Sequence, residues 1–279
     1  RFREPSAVAV SPEGRVYVAD RWNHRVQVFD DKGRPLAQWN AASPGSEGLF
    51  APCGVALGRG GRVWVADTGR GRVAVLDREG KTVAEMGRSG ADRLSRPCGV
   101  AVSPRGLTLV AEAGADRLLV FGPDGSALAP LSEKGDSVAE LRNPHGLAVD
   151  ASGWIYIADT GNERVVAVAA RDLADRRSIS IGPHASPLGL ACDAGGRVYV
   201  TDVRNHRVCV IQDMQLYAAW GRPGRDQGAL CRPEGVAVGP DGAVYVADTG
   251  NNRVLKFRLS FPAGAENASR PRAPASASR

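Results

Sequence analysis

No apolar run in this chain approaches the roughly 20 residues that a membrane helix needs, so no membrane insertion is expected. Its cysteines offer no framework. The five (Cys53, Cys98, Cys192, Cys209 and Cys231) are odd in number, form no Cys-x-x-Cys and have no histidine at ligand spacing. That argues against a disulfide scaffold and against a zinc site, and reduced thiols suit a cytoplasmic protein. Cys53 and Cys98, which stand at the same place in adjacent repeats, read as small buried thiols. Histidine is scarce, at four residues, and neither Gly-x-Ser-x-Gly nor His-Glu-x-x-His occurs. No catalytic residue, metal ligand or cofactor is therefore assigned from motifs. The net charge is +6, and the last eighteen residues hold Arg270, Arg272 and Arg279 against Glu266, leaving about +4 elsewhere. Such a balance permits an anionic partner without demanding one.

What the chain does have is repetition. Pro233 to Phe257, PEGVAVGPDGAVYVADTGNNRVLKF, runs as a Pro-x-Gly entry, an apolar run, a Gly-Pro-Asp-Gly reversal, a period-two run ending in Asp248, a second reversal and a third run. Short, β-branched runs between such reversals are strands of a meander. Sliding this unit back finds its Pro at Pro5, Pro52, Pro97, Pro144, Pro187 and Pro233. An acidic residue recurs with an arginine five positions on: Asp20 and Arg25, Asp67 and Arg72, Glu112 and Arg117, Asp159 and Arg164, Asp202 and Arg207, Asp248 and Arg253. A strand-only period of 43 to 47 residues predicts the blades of a six-bladed, all-β propeller.

Asn23-His24-Arg25-Val26 and Asn205-His206-Arg207-Val208 resemble the signature of the NHL repeat, with variants at Asn162-Glu163-Arg164 and Asn251-Asn252-Arg253. The resemblance covers about residues 1 to 258. The third copy loses the Asn, and the second has Gly71 before its Arg, an atypical turn.

One propeller domain is expected over 1–261, with 262–279 a Pro, Ala, Ser and Arg tail that reads as disordered and carries the sequon Asn267-Ala268-Ser269. Fourth strands are expected at Leu36 to Trp39, Thr82 to Met86, Ala127 to Leu131, Ser178 to Ile181 and Leu216 to Trp220, and the sixth repeat has none of its own. The expectation is that residues upstream of Arg1 supply it and that the chain is cut from a longer protein. Ala169 to Arg177 reads as a short helical turn.

Antiparallel pairing puts the Pro-x-Gly turns and the Asp-to-Arg loops on one face. There the repeated acid–arginine pairs read as scaffold, and the residues that break the repeat read as binding candidates: Arg21, Trp22, His24, Arg70, His145, Arg204, His206, Arg222 and Arg225. Trp22 beside Arg21 suits stacking on a base or an anchor in a protein interface. Asp116, Glu163 and Glu234 interrupt the positive charge of that face.

The resemblance to tripartite-motif NHL proteins implies a non-catalytic module that recognises a protein, or RNA, at the end of a larger ubiquitin ligase. The expectation is a monomeric propeller that is not an enzyme. In the RNA alternative, Arg21, Arg70, Arg204, Arg222 and Arg225 meet phosphate. Two further alternatives are a metal-dependent lyase or lactone hydrolase with an axial site, as in other six-bladed relatives, and a structural scaffold or sensor.

Overall fold

The structure, a computed structural model, describes residues 1–40, 48–87, 93–128 and 140–260. Its strands fall into six sheets, each hydrogen-bonded in chain order. Blade one comprises β1 (Pro5–Val10), β2 (Val16–Asp20), β3 (Arg25–Phe29) and β4 (Pro35–Trp39). Blade two has β5 (Gly54–Leu57), β6 (Val63–Asp67), β7 (Arg72–Leu76) and β8 (Thr82–Met86). Blade three has β9 (Pro97–Val102), β10 (Thr108–Glu112) and β11 (Arg117–Phe121). Blade four follows with β12 (Pro144–Val149), β13 (Trp154–Asp159), β14 (Arg164–Ala169) and β15 (Asp172–Ser180). Blade five holds β16 (Pro187–Cys192), β17 (Val198–Asp202), β18 (Arg207–Gln212) and β19 (Gln215–Trp220). Blade six has β20 (Pro233–Val238), β21 (Val244–Asp248) and β22 (Arg253–Phe257).

The first strand of every blade touches the first strand of the next, and β20 returns to β1, so the ring is closed. These strands surround the axis. The second strands are the most apolar and the most enclosed; β2, β10, β17 and β21 are buried at every residue. Outer strands face water: four of the five residues of β4 are exposed. Their alternation needs only one apolar face. The core lies between blades, where Tyr17, Val26, Val28 and Trp39 of blade one pack on Val55, Val63, Val65 and Leu76 of blade two. Burial of such faces is what a single blade cannot achieve alone.

Two expectations are corrected. Residues 169–177 form no helical turn: β15 pairs antiparallel with β14 from Arg164–Ser180 to Ala169–Asp172, a hairpin lengthened outward. Val165, Val166, Ala167 and Val168 stay in strand register through that turn because their burial outweighs the helix propensity of the following Ala-Asp-Leu-Ala run. Gly71 makes no unusual turn either, since the residue before the arginine is left-handed in all six blades (φ 53 to 64° at His24, Gly71, Asp116, Glu163, His206 and Asn252). In blade three Ala127 bridges to Phe121. The Leu128 amide donates to the Val120 carbonyl oxygen at 2.8 Å, while residues 129–131 of the expected fourth strand there, much of the loops 88–96 and 132–142, and the tail with its sequon lie outside the described residues.

Candidate functional site: the axial cavity

Each repeated acid is the hub of its turn. Asp159, fully buried, accepts from the Arg142 amide at 2.7 Å, the Asn162 side chain at 2.8 Å and Arg164 Nε at 2.7 Å. The same acid–arginine pair forms in every blade, at 2.5 to 3.0 Å. A short strand thus ends in a turn whose amide and guanidinium donors converge on one carboxylate, which compensates its loss of water.

These turns fix the entry to each axial strand. There the glycine of Pro-x-Gly lets neighbouring strands come together: a Cβ on Gly99 would lie 1.9 Å from the His145 carbonyl oxygen, and one on Gly146 2.2 Å from that of Leu188. The residue after the Pro, which precedes a Gly in five blades and Ala7 in blade one, therefore stands at the axis in each blade. Going round the ring these are Ser6, Cys53, Cys98, His145, Leu188 and Glu234. They line a cavity of about 460 Å³ together with Arg21, Thr68, Arg96, Asn143 and Thr160.

The cavity is electrostatically uneven. Arg21 forms an ion pair with Glu234, which is also 3.7 Å from Arg232. Burial pushes the Glu234 carboxyl up and Arg21 opposes it. On the other side, Arg96 donates to Asn143 Oδ1 at 2.6 Å. Cys53 and Cys98 line the cavity from adjacent axial strands, and their two thiols are shifted in opposite directions. Cys53 is lowered, first by the neighbouring Cys98 thiol and then, against its burial, by Arg21, Thr68 and Arg96. Cys98 is raised, first by the neighbouring Cys53 and then by burial. The pair titrates as a unit, and Arg21 and Arg96 favour a negative charge at Cys53.

His145 is pulled down to about 4, chiefly by burial and further by Arg96 and Arg21. Its Nδ1 lies 2.9 Å from the Asn143 carbonyl oxygen. A carbonyl only accepts, so the proton sits on Nδ1 and Nε2 keeps its lone pair.

Of the candidate binding residues, only Arg21 and His145 meet at this cavity. Trp22 is 46% exposed, and its Nε1 donates to Glu4 Oε2 at 2.9 Å over a second hollow shared with Arg3 and Asn252. His24 and His206 are turn residues, accepting at Nδ1 from the amides of Ala51 (3.0 Å) and Arg232 (2.9 Å). Arg70 donates to the Gly48 carbonyl, Arg204 pairs with Glu163 at 2.8 Å, and Arg222 pairs with Asp226. Arg225 is exposed, and its carbonyl accepts from Arg253 at 2.8 Å. Reading Glu234 as a surface acid is corrected: it is 5% exposed. Cys53 and Cys98 are likewise more than buried filler, since both line the cavity. Sequence reasoning missed Ser6, Cys53, Cys98, Arg96 and Glu234 as site residues. Comparing the residue after the Pro in the six repeats, as was done for the loops, would have found four of the five.

The axial metal of the enzyme alternative does not fit these residues. Among the described residues no three His, Cys, Asp or Glu side chains gather to hold an ion. Glu234 is occupied by Arg21, and the same cavity is lined by Arg21 and Arg96, whose positive charges repel a divalent cation.

Comparison with known proteins shows where this fold recurs. A 34-residue stretch is 59% identical to the B-box type zinc finger protein ncl-1 of Caenorhabditis elegans, covering 12% of this chain and 4% of that protein. The chain thus corresponds to a small part of that relative. Virginiamycin B lyase from Staphylococcus aureus superposes with a TM-score of 0.65 at 14% identity, over 95% of this chain and 87% of the lyase. A gluconolactonase from Xanthomonas campestris gives 0.69 at 20%, over 88% and 83%. Such likeness is one of fold, and the fold is one that a lyase and a gluconolactonase share. The expectation of a non-catalytic recognition module, and of a propeller that is no enzyme, is corrected on that ground: missing motifs do not argue against catalysis where site residues come from separate blades. No helix among the described residues is long and apolar enough to cross a membrane. The NHL repeat model matches 2–29, 52–76, 141–167, 185–211 and 230–257, passing over the divergent third blade, and the chain belongs to the NHL-repeat family.

Proposed function

We propose that the axial cavity is the active site of a metal-independent hydrolase that opens cyclic esters through the Cys53 thiolate. The observation that carries this reading is the Cys53–Cys98 pair in a cavity between Arg21 and Arg96, with neutral His145 on the same wall. A thiolate in an electropositive, accessible hollow is a nucleophile held ready. An elimination needs only a base, whereas nucleophile, imidazole and cations together suit acyl transfer.

Cys53 Sγ attacks the ester carbonyl carbon, the ring C–O bond breaks, and the ring oxygen leaves as an alkoxide that takes a proton from water. The product is a thioester carrying the opened chain. His145 Nε2, the free acceptor of the neutral ring, draws the proton from a water that hydrolyses the thioester and restores the thiolate. Arg21 and Arg96 stabilise the negative charge that develops on the carbonyl oxygen and favour substrates bearing a carboxylate.

The test is hydrolysis of five- and six-membered lactones, with and without a carboxylate, in the presence of a chelator. Turnover that survives chelation and falls at least ~10³-fold in kcat/KM in Cys53→Ala supports the reading. Turnover unchanged in Cys53→Ala, or no lactone opened at all, sinks it.

A further inference from the structure

Cys98 does more in this cavity than the hydrolysis requires. It occupies the position of Cys53 in the next blade and borders the same hollow. The strands that carry the two are in intimate contact there, since a Cβ on Gly54 would meet the Cys98 carbonyl oxygen at 2.3 Å. Cys53 is part-exposed and Cys98 is 7% exposed, so an oxidant arriving through the cavity reaches Cys53 first. Elsewhere the cysteines have no such neighbour: Cys209 is fully buried and its Sγ faces the Ile181 carbonyl at 3.9 Å. The thiol of Cys192 is pushed up by burial, with Asp150 and Asp193 adding to the shift.

We propose that Cys53 and Cys98 are a peroxide-reactive pair, Cys53 attacking and Cys98 resolving, which closes into a disulfide between blades two and three. The Cys53 sulfur attacks one oxygen of the hydroperoxide, the O–O bond breaks, and a sulfenic acid forms with release of water or an alcohol. The Cys98 sulfur then displaces the sulfenic hydroxyl, which leaves as water with the thiol proton, and the S–S bond closes. Two thiols each give up one electron and the peroxide accepts both. Arg21 and Arg96 steady the hydroxide or alkoxide leaving group in the first step. The modification consumes the nucleophile of the hydrolase reading, and to that extent rests on it; the chemistry of the pair does not.

The experiment is stoichiometric hydrogen peroxide on the purified chain, followed by alkylation and peptide mass mapping. The expected result is loss of two thiols, a Cys53–Cys98 peptide and full recovery with dithiothreitol. Cys98→Ser should stop at a Cys53 sulfenic acid that dimedone traps, and Cys53→Ser should react at least ~10-fold more slowly. Oxidation spread over Cys192, Cys209 and Cys231, or disulfides between molecules, would overturn the proposal. Should the disulfide form in a protein that opens no lactone, the hydrolase reading falls and the pair stands. Should lactones be opened while peroxide leaves the pair untouched, only the pair falls.

Discussion

The hydroxyl of Thr249 donates to the carbonyl oxygen of Pro5 at 2.7 Å, joining the last blade to the first across the closure of the ring. The same bond runs forward elsewhere, from Thr68 to Pro97 at 2.6 Å and from Thr160 to Pro187 at 2.7 Å. It is a repeated fastener, and at the closure it links residues 244 positions apart.

Thr249→Val keeps the shape and removes the donor, leaving the buried Pro5 carbonyl without this partner. The expected loss is about 1–3 kcal/mol in urea unfolding. Equal stability of variant and parent would mean that strand contacts alone hold the ring shut.

The carboxylate hubs set a contrast in magnitude. Asp159→Ala strands three donors, one of them the Arg164 guanidinium, which is only 26% exposed, so about 3–5 kcal/mol is expected to be lost. Arg34→Ala breaks a pair of similar length, 2.6 Å, but the arginine is 74% exposed and the cost should stay under about 1 kcal/mol. Chemical denaturation of both variants checks the ordering, and a reversal would undo the scaffold role assigned to the repeated acids.

The fold was legible because it is written six times. Pro, acid and arginine at constant spacing set strand boundaries that periodicity alone leaves loose, and β8 (Thr82–Met86) falls on the expected residues. Where the chain departs from its repeat, as at Ala169 to Arg177, local propensity misled, since the hairpin there is set by β14 and its burial. The cavity was harder to read for a geometric reason. Cys53, Cys98, His145 and Glu234 are up to 181 positions apart and converge only because a propeller brings symmetry-related residues to its axis. Arg21 was picked out because it breaks the repeat, but its partner Glu234 was taken for a surface charge. Nothing local in Pro-Glu-Gly says that the side chain points inward.

Gly99 is where the axial strands press hardest. Gly99→Ala puts a methyl group 1.9 Å from the His145 carbonyl oxygen, so β9 and β12 must separate, at a cost of about 1–3 kcal/mol. Gly33→Ala is the control: its φ of +81° imposes strain, roughly 1 kcal/mol, but nothing lies within 4 Å. Lactone turnover should fall in the first variant and hold in the second, because only the first displaces His145. Loss of turnover in Gly33→Ala would mean that the assay reads general stability.

His145 also ties stability to pH. Burial holds its folded-state value near 4, below the 6.5 of a solvent-exposed imidazole. Between pH 6.5 and 4 the unfolded chain therefore binds the extra proton and the folded chain does not, so stability rises with pH across that window. The contribution is fully present above about 6.5 and lost as the pH falls through it, levelling off below 4 at a penalty on the order of 3 kcal/mol. His145→Asn removes the titrating group, and urea midpoints at pH 4, 5, 6 and 7 should then lose this part of their slope while the parent keeps it. The same shift leaves Nε2 largely unprotonated down to about pH 5, so lactone turnover in mildly acidic buffer should follow the ionisation of Cys53 and not of this imidazole. An unchanged slope in His145→Asn would show that the ring is free to take up a proton in the folded cavity, and with it that Nε2 is no reliable base below neutrality.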